Sequence, residues 1–225
     1  MQVFIGTSGW FYEWNKDKNL DWFVKNSNLN AVELNASFYR FPFKNMVKSW
    51  ARKGINLKWS IKVNRLITHQ HKFDEKAIEV WNRFRDLFQP LDKFISFYLF
   101  QAMPSFTDTD RVLEFASKVK LGSRFAFEIR NKELLKDEKL CRKLQKKLVL
   151  VSVDSPDFQN KIFPAKVIYL RMHGRTNWYL HDYSEKELKE IADKITELKP
   201  KKVYIFFNND HSMLENARLM FKLFG

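Results

Sequence analysis

The strongest constraint on the fold is a repeated alternation of strand-like and helical segments. The strand-like segments are rich in Val, Ile, Phe and Tyr, which favour strands. They occupy residues 3–7, 31–36, 58–63, 94–100, 124–129, 148–153, 166–172 and 202–207. Strand–helix alternation predicts a parallel sheet. Eight such units in 225 residues predict a single domain over 1–225, a closed (β/α)8 barrel of the TIM type.

Helical patterns separate most of these segments. The most regular one spans 74–88, where apolar residues recur on one helix face. Similar patterns cover 111–119, 184–198 and 212–224, and less regular ones cover 19–27 and 44–53. The connection 154–166 contains Pro156 and Pro164, which argue against a full helix. We therefore expect an irregular or missing helix between strands six and seven.

The formal net charge of +14 at pH 7 predicts a surface that attracts anions. A lysine-rich proteome is the alternative explanation. The densest basic run favours that alternative, because its cations recur at helical spacing opposite Leu140 and Leu144, as on a solvated helix face. The cations of this run are Lys139, Arg142, Lys143 and Lys146.

The location of the protein is predicted from what the sequence lacks. The one cysteine, Cys141, allows no internal disulfide and lies in a helical pattern as a small apolar residue. Strand-like residues 3–5 stand where a signal peptide would have its leader, and no apolar stretch has the length of a membrane span. These features predict a cytoplasmic, soluble protein without a membrane partner.

Polar side chains gather where the strand-like segments end. Each segment is apolar at its start and acquires polar residues near its C-terminal end, whereas a purely structural distribution would scatter them. In a barrel these ends form one rim, where the active sites of such folds lie. The residues with which we predict a site are Ser8, Glu33, Asn35, Tyr39, Lys62, Arg65, Gln101, Glu128, Arg130, Asp154, Arg171, His173, Asn208 and Asn209.

The chain also resembles a known family. The matching segments are Gly6–Trp10, Val32–Arg40, Thr68–His69, Phe100–Gln101, Phe127–Arg130, Val153–Asp154, Leu170–Gly174 and Tyr204–Asp210. In order and content they resemble the YecE-like family, also called domain of unknown function 72. The resemblance implies a TIM-barrel fold with one irregular unit, and it implies no established reaction.

Two positions depart from the family pattern. The family often has a histidine after its Glu-x-Arg motif, where this chain has Asn131. It often has paired prolines after the glutamine, where this chain has Ala102-Met103-Pro104. No role of that histidine is therefore carried over to this chain.

The first functional hypothesis is a metal-free or weakly metal-dependent enzyme that acts on a small anion bearing phosphate or carboxylate, and it calls for no cofactor. Glu128, Asp154 and His173 supply acid/base groups. The remaining predicted site residues bind substrate: basic side chains attract its anionic group, and amides orient its polar atoms. The alternative for the same residues is an ion-pair network that performs no chemistry.

Two further hypotheses stay open. A metal-dependent barrel, similar to xylose isomerases and endonucleases, would use Glu33, Glu128, Asp154 and His173, with His69 or His211. Lys and Arg residues near nearly every candidate carboxylate weigh against it. A nucleic-acid binding or processing protein would explain the net charge and the aromatic residues after the strands, although no recognised nucleic-acid module is present.

Overall fold

The computed structural model describes all 225 residues, Met1–Gly225, and has a mixed α/β fold with ten strands and nine α-helices. The strands are β1 (Gln2–Thr7), β2 (Ala31–Leu34), β3 (Lys58–Lys62), β4 (Ile95–Gln101), β5 (Phe125–Glu128), β6 (Val149–Leu150), β7 (Ser152–Ser155), β8 (Phe158–Lys161), β9 (Val167–Met172) and β10 (Lys202–Phe207). The helices are α1 (Leu20–Asn26), α2 (Ala36–Tyr39), α3 (Lys44–Lys53), α4 (Glu75–Phe88), α5 (Thr109–Val119), α6 (Lys132–Lys136), α7 (Glu138–Gln145), α8 (Glu185–Glu197) and α9 (Met213–Leu223).

The predicted helices form, and local chemistry explains where several of them begin. Asp74 caps α4 by accepting a hydrogen bond from the backbone N–H of Ala77, and Asp108 caps α5 in the same way. Ser184 and Glu187 form a reciprocal capping box at the start of α8. These caps satisfy backbone donors that the first helical turn leaves without partners.

The chain divides into two compact units, which we describe separately. Unit 1 comprises Met1–Glu33, Lys53–Lys58 and Val151–Gly225. Its strands lie in the order β2-β1-β10-β9-β7-β8, and all neighbours are parallel except β7 and β8. Gly6 lets β1 approach β2 closely, because a Cβ there would lie 2.2 Å from the carbonyl oxygen of Ala31.

Unit 2 comprises Leu34–Arg52 and Trp59–Leu150. Its strands β3, β4, β5 and β6 are parallel neighbours in that order. Aromatic side chains dominate its core: the rings of Phe100 and Phe125 stack with centroids 4.1 Å apart, and Trp81 meets Tyr98 edge-on at 4.9 Å. Rings of this size bury enough apolar surface to fix the helices on the strands.

The connection between β7 and β9 confirms the prediction that no full helix lies there. In its place β8 pairs antiparallel with β7, with Ser155 opposite Phe158. Pro156 lies in the turn of this hairpin and Pro164 follows β8, so at neither position do the fixed φ and missing N–H interrupt a helix. The predicted strand 148–153 is divided between β6, which pairs with β5, and β7, which pairs with β9.

The closed eight-stranded barrel is not confirmed. The hairpin and the divided strand raise the number of strands to ten, and the pairing is mostly rather than wholly parallel. The closed barrel and the single domain stay predictions. No helix combines the length and the apolar character that crossing a membrane requires.

Candidate functional site

The buried carboxylate of Glu33 is the centre of one polar network in unit 1. Arg171, on β9, donates to it through Nε (3.0 Å to Oε2) and Nη2 (2.7 Å to Oε1). Tyr169 lies two residues earlier on the same strand face, and its hydroxyl donates to Oε2 at 2.5 Å. The hydroxyl of Ser8 donates to Oε1 at 2.9 Å.

This Glu33 network is balanced in charge and shielded from solvent. Glu33 and Arg171 are both fully buried, and the carboxylate accepts four hydrogen bonds from three side chains. The structure thus brings together three predicted site residues, Ser8, Glu33 and Arg171. Their arrangement is that of an ion pair whose carboxylate has its acceptor sites filled, as a stable buried pair requires.

A second network surrounds Asp154 at the end of β7. Arg175 Nε lies 3.2 and 3.1 Å from its two oxygens, the hydroxyl of Tyr183 donates at 2.7 Å, and the backbone N–H of Asn160 donates at 2.6 Å. Arg175 also bonds Glu190 through Nη1 at 3.1 Å. Asp154 is fully buried, so these donors compensate its lost hydration.

Electrostatics in the Asp154 network keep its donors protonated. Burial, then the charge of Asp154 and the hydrogen bond to it, raise the pKa of Tyr183 far above that of an ordinary tyrosine. Burial opposes the charge of Arg175, but hydrogen bonds to Asp154 and Glu190 raise its pKa. Neither Arg175 nor Tyr183 was among the predicted site residues. Arg175 stands two residues after His173, close enough to a strand end to be found, whereas no pattern marks Tyr183.

His173 is fully buried within unit 1. Its Nδ1 lies 3.2 Å from the side-chain nitrogen of Asn208, which can only donate, so Nδ1 accepts. Trp178 and Tyr179 lie against the imidazole with ring centroids 5.2 and 5.9 Å away. Gly174, the next residue, has a φ of +101°, which glycine adopts without strain, and a Cβ there would lie 2.6 Å from Asn177 O.

Asn209 has a structural role in the same unit. Its side-chain nitrogen donates to His181 O and to Asn216 Oδ1, both at 2.7 Å. These bonds tie the segment after β10 to α9 and to the loop before α8. The structure therefore separates Asn209, which joins backbone segments, from Asn208, which contacts His173.

In unit 2 the ends of β4 and β5 bring three predicted residues together. Gln101 and Glu128 are register partners, and Gln101 Nε2 donates to Glu128 Oε1 at 3.1 Å. Arg130 Nε lies 2.5 Å from the same oxygen. Glu128 is fully buried, whereas the side chain of Arg130 is 14% exposed. This contact with solvent distinguishes Arg130 from Arg171.

Further basic residues of unit 2 surround His69. Lys62 Nζ, at the end of β3, lies 4.3 Å from the centre of the Phe38 ring, and that ring meets His69 edge-on at 5.0 Å. Burial, then the charges of Lys62, Arg65 and Arg130, lower the pKa of His69. Both effects favour the neutral form of this half-buried imidazole. We call Lys62, Arg65, His69 and Arg130 the cationic cluster.

Hydrogen bonds fix the backbone beneath the cationic cluster. The hydroxyl of Ser37 donates to Lys62 O at 2.7 Å, and Asn64 Nδ2 donates to Ser37 O at 2.9 Å. Asn64 Oδ1 accepts from the N–H of Leu66 at 3.0 Å, where a π-helical turn, Leu66–Gln70, begins. Such turns are frequent at functional sites, and this one carries His69. Its Nδ1 lies 2.8 Å from Thr68 Oγ1.

Asn35 and Tyr39 are also predicted site residues of unit 2, and neither belongs to the polar groups described above. The buried Oδ1 of Asn35 has no hydrogen-bond partner, and the side chain of Tyr39 is 68% exposed. No group of three or more His, Cys, Asp or Glu side chains is arranged to hold a metal ion. Three of the candidate metal ligands, Glu33, Glu128 and Asp154, instead pair with arginines.

Comparisons with known proteins give the family and the fold. The family model described as protein of unknown function DUF72 matches residues 4–225. A DUF72 family protein of Enterococcus faecalis has a similar structure, with a TM-score of 0.82, 20% identity, and coverage of 99% of this chain and 97% of that one. One of Thermotoga maritima has a TM-score of 0.81 and 24% identity, with coverage of 100% and 99%. No curated protein matches the sequence. The chain therefore belongs to the DUF72 family, whose function is unknown.

Proposed function

We propose that the protein binds a small phosphate- or carboxylate-bearing compound at the cationic cluster and acts on it as an acid/base enzyme. The observation that carries the proposal is the cluster around His69: its ring and the Lys62 ammonium both contact Phe38, and the charges of Lys62, Arg65 and Arg130 lower its pKa. With Glu128 the group holds three cations and one carboxylate. An anionic ligand would offset the excess positive charge, which is costly among half-buried side chains.

The residues of the group have complementary roles in this proposal. Arg130 and Arg65 bind the anionic group through planar donors, and Lys62 adds a point charge. Gln101 orients Glu128 through its hydrogen bond. The lowered pKa of His69 favours the neutral imidazole, which can accept a proton, and Glu128 is our first candidate for an acid/base group.

The pairing of carboxylates with arginines supports a metal-free reaction. An arginine beside Glu33, Glu128 or Asp154 occupies the carboxylate oxygens that a metal would need. The acid/base roles of Asp154 and His173, the closed barrel and the cytoplasmic location stay proposals of the sequence analysis.

Isothermal titration with sulfate and phosphate tests the binding proposal. The exposed Arg65 can be changed to Gln with little effect on folding, and Arg83→Gln, an exposed arginine of α4, is the matched control. Losing one charged hydrogen-bond donor should weaken sulfate binding about tenfold, and Arg83→Gln should bind like wild type. No binding by the wild type, or equal affinities of the two variants, would refute the proposal.

A further inference from the structure

The outer face of α3 carries a row of cations without ion-pair partners. Lys44, Lys48 and Arg52 recur at intervals of four residues, so they lie on one side of the helix about 6 Å apart. All three are exposed, and no ion pair of the structure involves them. The sequence of α3 contains no acidic residue. We call these three residues the α3 row.

Helix stability does not explain the α3 row. The first turn of a helix favours acidic residues, because the backbone dipole is positive there, yet α3 begins with Lys44. The longer helices α4, α5, α8 and α9 all have an acidic residue in the first turn. Lys44 also repels Lys48, as Lys48 repels Arg52, so the row costs free energy in the isolated protein.

The basic run on α7 contains cations that do have counter-charges. Arg142 pairs with Glu138 at 3.3 Å, and Lys143 pairs with Asp110 at 2.7 Å. That run has the higher density of cations in the sequence, and two of its four cations are neutralised locally. The α3 row differs from it because none of its three cations has an ion-pair partner.

We propose that the α3 row binds the phosphate backbone of a single-stranded nucleic acid. A linear row of cations is complementary to a row of phosphates, and a shallow cleft of about 480 Å³ runs beside it, lined by Asn45, Lys48, Ala51, Arg52 and Pro90. Phe43 stands just before the helix with its side chain 77% exposed. An exposed ring beside a cationic track is the arrangement on which unpaired bases stack.

The packing of α3 disfavours a membrane as the occupant. A helix that lies in a membrane surface turns its apolar face outward. In α3 the apolar residues Val47 and Trp50 are buried in the protein, and Trp50 stacks on Trp59. Only Phe43 and Met46, at the start of the helix, are exposed apolar side chains there.

The test compares two charge reversals of equal size. The α3 variant combines Lys44→Glu, Lys48→Glu and Arg52→Glu, and the control combines Lys139→Glu, Arg142→Glu and Lys143→Glu on α7. Binding of a fluorescent oligodeoxythymidine of roughly 12 nucleotides, a typical site size for such proteins, is measured by anisotropy between about 50 and 200 mM salt. Circular dichroism melting confirms that both variants fold.

The wild type should bind with affinity that falls steeply with salt. The α3 variant should bind at least about tenfold more weakly, and its log–log salt slope should fall by about 2, since each single-strand phosphate contact contributes about 0.7. The α7 control should keep most of the affinity. Phe43→Ala should weaken binding about fivefold and leave the salt slope unchanged, because stacking releases no counterions.

Three results would overturn the proposal: no oligonucleotide binding by the wild type, equal losses in the two charge reversals, or binding to phosphatidylserine vesicles in place of the oligonucleotide. The proposal is independent of the small-anion site, because none of these variants changes a residue of the cationic cluster. Sulfate titration of the α3 variant should therefore give the wild-type affinity.

Discussion

Two groups of charged residues at strand ends differ in how their charges are balanced. In unit 1, Glu33 and Arg171 are fully buried and bonded to each other, and Tyr169 and Ser8 fill the remaining acceptor positions. In unit 2, the cationic cluster and Glu128 combine three cations with one carboxylate, and Arg130 and Arg65 reach solvent. Similar residue types thus produce a closed ion pair in one unit and an excess of positive charge in the other.

The difference separates structural from binding roles. A buried pair with all its hydrogen bonds made can gain little from a ligand, and breaking it leaves a buried charge. A partly exposed group with excess positive charge is stabilised by any anion that can reach it. We therefore assign Glu33 and Arg171 to stability and the cationic cluster to binding.

The largest expected effect is the loss of stability caused by Glu33→Gln. The change keeps the size of the side chain but leaves the fully buried Arg171 without its counter-charge, which should lower the free energy of unfolding by about 3–5 kcal/mol. Denaturant unfolding measures the loss, and sulfate titration of the folded fraction should show wild-type affinity. Wild-type stability combined with lost sulfate binding would reverse the assignment.

Glu128→Gln should mainly lower turnover. Arg130 keeps access to solvent when its partner loses charge, so the stability loss should be smaller than for Glu33→Gln. If Glu128 acts as the acid/base group, turnover should fall roughly 10²-fold on a substrate found by screening phosphorylated metabolites. Wild-type turnover in this variant would exclude the catalytic role.

The smallest expected effect is on the pH dependence of anion binding. The pKa of His69 lies below its usual 6.5 in the free protein because of burial and three nearby cations. A bound anion offsets those cations and raises that pKa, so binding is coupled to the uptake of a proton by His69 on acidification. Sulfate affinity should rise by at most about tenfold per pH unit on acidification, since one proton is taken up.

His69→Gln should remove most of this pH dependence in titrations at successive pH values. Sulfate suits the measurement because it does not titrate in this range. A variant that keeps the wild-type pH profile would show that another group binds the proton.

The sequence predicted which residues stand at strand ends but not how they pair. It located Glu33, Glu128 and Arg171 near strand ends, where the structure buries all three. The bond between Glu33 and Arg171 joins positions 138 residues apart, a choice of partner that no local pattern encodes. The same limit applies to His69, which entered only as a candidate metal ligand, because its cationic neighbours come from separate segments.

The fold was predicted where local patterns decide it. Helices such as α4 have both a cap and an apolar face, and they form as expected. The two prolines correctly excluded a helix after β7, but they did not reveal β8, because its hairpin depends on pairing with Val153 and Ser155. Tyr183 was missed for a similar reason: its role depends on reaching Asp154, which is 29 residues away.

The most direct test of the account is the position of a bound anion. Crystals soaked in selenate, which resembles sulfate and scatters anomalously, should show a selenium peak with oxygens about 2.7–2.9 Å from nitrogens of the cationic cluster, and Arg65→Gln should lose or weaken it. A peak at Arg171 or Arg175 with none at the cluster would contradict the assignment of binding to unit 2.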